Sequence, residues 1–147
     1  MHGATGPFLY PVCLRLTGRP CVVIGGGAVA ERKVDGLLAA GAAVTIVSPL
    51  VTPRLARWAA DGWIRHVRRA YRVGDLRGHR LAFVATDDGA VTAAVAAEAR
   101  ARGVWVNAAD EPAHCDFALP AVLRRGALAV AVGTGGASPA LAAVVRD

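Results

Sequence analysis

A chain of 147 residues is long enough to bury one core with part of a second, and with 54% apolar residues it is not a disordered chain. Its formal charge of +6 comes from 16 arginines and one lysine, scattered except for Arg65, Arg68, Arg69 and Arg72; no aromatic-plus-basic pattern accompanies them, which argues against a nucleic-acid partner. Cys13, Cys21 and Cys115 are far apart with no C-x-x-C pair, the four histidines lack ligand spacing, and no signal peptide opens the chain, so a cytoplasmic protein without a metal site is expected.

In chain order, Val22-Val23-Ile24 is a β-branched strand that stops at Gly25-Gly26-Gly27 and passes into Ala28-Val29-Ala30. From Glu31 to Ala40, Val34, Leu37 and Leu38 recur at helical spacing before Gly41. Ala43 to Val47 is a second strand ending in Ser48-Pro49, and Thr52 caps a short helix to Ala60 with Pro53 in its first turn. Trp63 to Val67 is a strand and Arg69 to Arg80 a polar loop. Leu81 to Ala85 is a buried strand ending in Thr86-Asp87-Asp88, followed by an alanine-rich helix from Ala90 to Ala101 that Gly103 closes, then a short strand from Val104 to Val106 ending in Asn107. From Asp116 the pattern becomes a hairpin, Phe117 to Leu123 and Ala127 to Val132 around Arg124-Arg125-Gly126. Gly126 to Val145 lacks charge and approaches the length of a bilayer span, but the Gly133-to-Pro139 stretch interrupts it, so strand, loop and helix are expected and no membrane partner.

Strands alternating with helices predict an α/β fold, a Rossmann-like parallel sheet with helices on both faces over residues 1–115. Residues 116–147 read as the start of a smaller dimerisation domain whose last helix, opening at Ser138-Pro139, stops at Asp147. Ligands of such sheets bind at the carboxyl ends of the strands, where Gly25, Ser48, Thr86 and Asn107 fall. The spacing Gly25-x-Gly27-x-x-Ala30 suits a pyrophosphate: a tight turn at Gly25, close backbone approach at Gly27, a small residue at Ala30 for packing, and a helix N-terminus facing the anion.

VVIGGGAVAERK from Val22, VATDD from Val84, NAADEPAHCDFALPAVLRRG from Asn107 and GTGGASPALA from Gly133 together resemble the precorrin-2 dehydrogenase family, the dehydrogenase and ferrochelatase part of siroheme synthases. The resemblance implies oxidation of precorrin-2 to sirohydrochlorin by NAD, with ferrous iron inserted as a further substrate in some members. It implies that Asp110 is the acid/base residue. Gly25, Gly26, Gly27, Ala28, Val29, Ser48, Pro49, Thr86, Asp87, Asp88 and Asn107 would line the cofactor. Thr134, Gly135, Gly136 and Ser138, with His114, would face the tetrapyrrole, and two subunits would join as a homodimer.

Each position also has a plainer reading. Asp110 before Glu111-Pro112 suits a turn, and Asp88 suits a helix cap. Cys115 suits a small packed side chain. The acidic residue that a dinucleotide fingerprint places about 20 positions beyond the glycines is absent, since Ser48-Pro49-Leu50 stands there, with Arg54 nearby. The competing function is a non-catalytic NAD(H)-sensing module, which needs neither the Asn-x-x-Asp segment from Asn107 nor the glycine-serine-proline loop. A short-chain dehydrogenase is excluded because no tyrosine stands four residues before Lys33.

Overall fold

The computed structural model describes residues 8–133. They divide into two compact units, residues 14–116 and, separately, residues 8–13 with 117–133. The N-terminal residues therefore group with the hairpin.

In the larger unit, β1 (Pro20–Ile24), β2 (Ala43–Val47), β3 (Ile64–Val67), β4 (Leu81–Val84) and β5 (Trp105–Ala108) form one sheet in the order β3-β2-β1-β4-β5, with every neighbouring pair parallel. Helices α1 (Ala28–Ala39), α2 (Pro53–Ala60) and α3 (Gly89–Arg102) follow β1, β2 and β4. Parallel crossovers are right-handed, so steps from β1 to β3 put α1 and α2 on one face, and the reversed step from β4 to β5 puts α3 on the other. Both faces are thus covered, and β1 and β4 are buried almost throughout. Side chains alternate across the pleat: Val22, Ile24, Val47, Ala82, Val84, Val106 and Ala108 pack with Val95 and Ala99 of α3. Cys21, Val23, Ile46 and Phe83 point to the face where Ala30, Val34 and Leu37 of α1 and Leu55 of α2 are buried.

No helix joins β3 to β4. Residues 68–80 run as turns, as the polar loop reading expects, but they also cover part of the α3 face, where Leu76 is fully buried and Tyr71 packs beside it. Glu98 of α3 pins this loop: its carboxylate accepts from Tyr71 Oη at 2.5 Å, from Leu76 N at 3.2 Å and from Arg102 Nε at 2.7 Å. Asp75 closes the loop on itself with a two-pronged pair to Arg69 at 2.7 and 2.8 Å and the Arg72 amide at 2.8 Å.

The last strand of the sheet runs further than its sequence pattern indicates, because Ala108 still pairs with Val84 of β4. Its free edge is satisfied by the chain that follows. Asp116 bonds both the amide and the carbonyl of Val106, and the Cys115 sulfur sits 3.2 Å from the Ala108 nitrogen. Cys115 is therefore a packed edge residue.

In the smaller unit, β6 (Ala121–Arg125) and β7 (Leu128–Val132) pair antiparallel, with Arg125 opposite Leu128. Gly126 opens the two-residue turn with φ of +58°, a conformation such a tight turn needs and glycine supplies cheaply. Ala121, Leu123, Val130, Val132 and Leu128 share one face of this ribbon by the register, with Arg125 at its turn end opposite Leu128.

Candidate functional site

The strand order reverses between β1 and β4, and the glycine turn stands at that point. Gly25 has φ of +119°, and a Cβ there would lie 2.5 Å from the Ala85 carbonyl oxygen, so only glycine fits between the ends of β1 and β4. Gly26 is constrained more tightly: a Cβ would collide with the Leu50 carbonyl oxygen and approach Ser48 Oγ to 2.8 Å. The cause is the loop after β2, which folds against the turn through Gly25 N to Val47 O at 3.0 Å and Thr52 N to Gly26 O at 2.9 Å. Gly27 is different. It is the N-cap of α1, no side chain caps the helix, and nothing lies within 4 Å of the position of a Cβ.

Gly27, Ala28 and Val29 are exposed while Ala30 is fully buried against the sheet. An open cradle above uncapped amides, on the positive end of a helix, fits a pyrophosphate. We expect Gly27→Asp to fold, because aspartate is itself a good N-cap, and to bind NAD at least about tenfold more weakly through like-charge repulsion. Calorimetric titration reads this; unchanged affinity in a folded variant would move the phosphate site elsewhere.

Across the switch point, Val84, Thr86, Asp87 and Thr92 from the β4 side and Ala108, Ala109, Asp110 and Glu111 from the β5 side enclose a cleft of about 150 Å³. Three predicted residues, Thr86, Asp87 and Asp110, are thus brought together one residue from the glycine turn's contact at Ala85. Glu111 and Thr92 share the cleft and were not singled out from the sequence. The adjacency of Glu111 to Asp110 was the available signal, whereas Thr92 sits a helical turn inside α3 and carried none.

The other predicted residues divide. Asp88 caps α3, accepting from Ala90 N at 3.0 Å and Val91 N at 3.4 Å, and its own amide donates to Thr86 Oγ1 at 3.2 Å. Ser48 is buried, with its hydroxyl donating to the Leu50 carbonyl at 2.6 Å, so it shapes the loop beside Gly26 together with the exposed Pro49. Asn107 lies inside β5 opposite Phe83, buried on the α1 face and outside the cleft's lining. His114 ends a 3-10 turn from Pro112, lies 3.5 Å from Glu111, and lines a second cleft of about 240 Å³ with Arg100, Trp105 and Cys115. Pro112 turns the chain back along the β5 edge, which carries His114 away from the lining of the first cleft. Thr134, Gly135, Gly136 and Ser138 lie outside the described residues.

At the end of β2, the Leu50 side chain is 83% exposed where a fingerprint would place its carboxylate. Arg54 is held along the helices by Asp35 at 3.5 Å, Glu31 at 3.9 Å and the Trp58 ring at 4.6 Å. Among the described residues no three His, Cys, Asp or Glu side chains converge as a metal site, and no helix is long and apolar enough to cross a membrane.

A parallel sheet of this order, with a glycine turn at its switch point under an open helix N-terminus, defines a dinucleotide-binding domain. Residues 12–121 match the family described as "Putative NAD(P)-binding". The siroheme synthases of Methylobacillus flagellatus and Methylococcus capsulatus are each 46% identical over 92% of this chain, and that of Gluconacetobacter diazotrophicus is 42% identical over 100% of this chain. The chain spans 29–32% of the length of these relatives. A solved structure of SirC, precorrin-2 dehydrogenase, superposes with a TM-score of 0.82 at 35% identity, covering 94% of this chain and 68% of that one. The chain belongs to the precorrin-2 dehydrogenase family, whose relatives include the siroheme synthases.

Proposed function

We propose that this chain dehydrogenates precorrin-2 to sirohydrochlorin with NAD, as a homodimer in the reducing cytoplasm. The observation that carries the reading is the convergence of Asp110 with Thr86 and Asp87 in one cleft beside the glycine turn. When bound, NAD supplies the acceptor for a hydride. The amides at the start of α1 would hold its pyrophosphate, and Thr86 and Asp87 would orient the ribose or amide groups nearer the cleft. Asp110 is exposed to solvent on one side, so a bulky tetrapyrrole can reach its carboxylate, which accepts the proton that the substrate loses along with the hydride. The same carboxylate is the base for pyrrole protons if ferrous iron enters as a second substrate, a step that the resemblance alone supports.

Three free cysteines agree with a reducing compartment. The hairpin supports the dimer: Leu128 and Val130 are 62% and 42% exposed, and a two-stranded ribbon alone is marginally stable in water. An isologous contact through this ribbon would cover its apolar face.

The test is anaerobic incubation with precorrin-2 and either NAD or NADP, followed by absorption spectroscopy. Growth of the sirohydrochlorin spectrum with NAD is the expected result. A folded chain that binds NAD and leaves precorrin-2 unchanged would instead be the nucleotide-sensing module.

A further inference from the structure

In a dinucleotide-binding sheet the group that reads the adenosine ribose stands at the end of β2. A carboxylate there on the 2′-hydroxyl selects NAD, and an arginine nearby accommodates the extra phosphate of NADP. This chain has Leu50 at that point, with its side chain 83% exposed. The loop that carries it is fixed against the glycine turn. The Ser48 hydroxyl donates to the Leu50 carbonyl at 2.6 Å, His66 Nε2 donates to the Ser48 carbonyl at 2.8 Å, and the Thr52 amide donates to the Gly26 carbonyl at 2.9 Å. Helix α2 therefore starts beside the glycine turn, and Arg54 lies in its first turn.

The Arg54 guanidinium is drawn down the helices. Its neighbours are Asp35 Oδ1 at 3.5 Å, Glu31 Oε2 at 3.9 Å and the face of Trp58 at 4.6 Å. Asp35 is about two turns into α1 and Trp58 about one turn beyond Arg54. Both helices start at the carboxyl edge of the sheet, so these partners hold the cation away from that edge. Glu31 is also tied to the cradle: its amide donates to the Gly27 carbonyl at 3.0 Å, and its carboxylate accepts from Thr52 Oγ1 at 2.7 Å. Two carboxylates thus face one guanidinium, an excess of negative charge beside the cradle of a chain whose overall charge is +6.

We propose that Glu31 and Asp35 set the cofactor preference of this chain by holding Arg54 off the ribose end of the site, so that NAD is favoured over NADP without a carboxylate at the end of β2. This rests on the NAD reading above and names what discriminates. A 2′-phosphate would meet like charge, and the guanidinium able to pair with it is already occupied. Exposed ion pairs are individually weak, so the preference is modest, about tenfold.

The test is calorimetric titration of NAD and NADP into the parent, Asp35→Asn, Glu31→Gln, the double variant, and the double variant with Arg54→Ala, with thermal melting on each. Asp35→Asn leaves the Thr52 bond untouched, and Glu31→Gln keeps an acceptor for it, so the loop beside Gly26 is retained. The parent should bind NAD about tenfold more tightly than NADP, and the double variant should raise the ratio of NADP to NAD affinity about tenfold. Arg54→Ala should then remove most of that gain. Asp35→Asn alone should raise the ratio about threefold, and it decides the matter if the double variant does not fold. A parent that binds NADP as tightly as NAD or more tightly overturns the assignment, as does an unchanged ratio in the folded carboxylate variants or a gain that survives Arg54→Ala. Each of these leaves the NAD reading standing. A folded parent that binds neither dinucleotide overturns both.

Discussion

Asp110→Asn lowers turnover on precorrin-2 by about 10²-fold or more and leaves NAD affinity at the parent's value, the usual scale for loss of a positioned general base. Asparagine keeps the size of the side chain and its place in the turn before Glu111 and Pro112, but its amide does not accept a proton at neutral pH. The glycine turn is untouched, because Asp110 stands on the β5 side of the cleft while the phosphate cradle is built from β1 and α1. Glu111 lines the same cleft, so the paired variant Glu111→Gln is informative. A small effect at Glu111 with a large one at Asp110 assigns the proton to Asp110, and near-parent rates in Asp110→Asn return that residue to a turn-forming role.

Glu98→Ala destabilises the domain by about 3–5 kcal/mol, because it strips the partner from a buried, multiply bonded charge site. The Glu98 side chain is 3% exposed, and truncation takes the acceptor from the Leu76 amide and the Arg102 guanidinium and leaves the Tyr71 hydroxyl only the Ala94 carbonyl at 3.5 Å. The loop that replaces a crossover helix would lose its anchor, and with it the cover over Leu76. Burial by itself would raise the Glu98 carboxyl, but hydrogen bonds from Tyr71, Gly74, Arg102 and Leu76 outweigh burial and hold its pKa below the ordinary value. The Arg69 guanidinium, against the opposing effect of burial, holds Asp75 low as well.

Both carboxyls are depressed in the folded state, so the stability they contribute is complete above the unfolded carboxylate range of about pH 4–5 and is lost as pH falls through their folded values. Urea melts should therefore show a large gap between parent and Glu98→Ala at neutral pH that narrows in acid. A constant gap would mean that lost packing, not the charge, accounts for the destabilisation. The hydroxyl of Tyr71, raised by burial and by Glu98, stays protonated throughout and remains a donor.

By itself the sequence determined the local elements. The ends of the second strand, the Thr52 cap with Pro53 behind it, the closing Gly103 and the glycine turn at Gly26 are each written in residues whose preferences act within a few positions, and all stand where the pattern puts them. Thr86 and Asp87 were legible because parallel topology sends every strand's carboxyl end to one edge, whereas Asp110 was singled out by the family resemblance and read by itself as a turn residue. Tertiary structure decided what depends on distant neighbours. Gly26 is required by the carbonyl of Leu50, Asn107 is drawn into β5 by pairing with β4, and His114 is carried round the sheet edge by the path after Pro112. Glu98 becomes a buried hub only because the loop after β3 returns Tyr71 and Leu76 to it. No window of local sequence contains the partners that make these choices, so chain crossover and packing decide them.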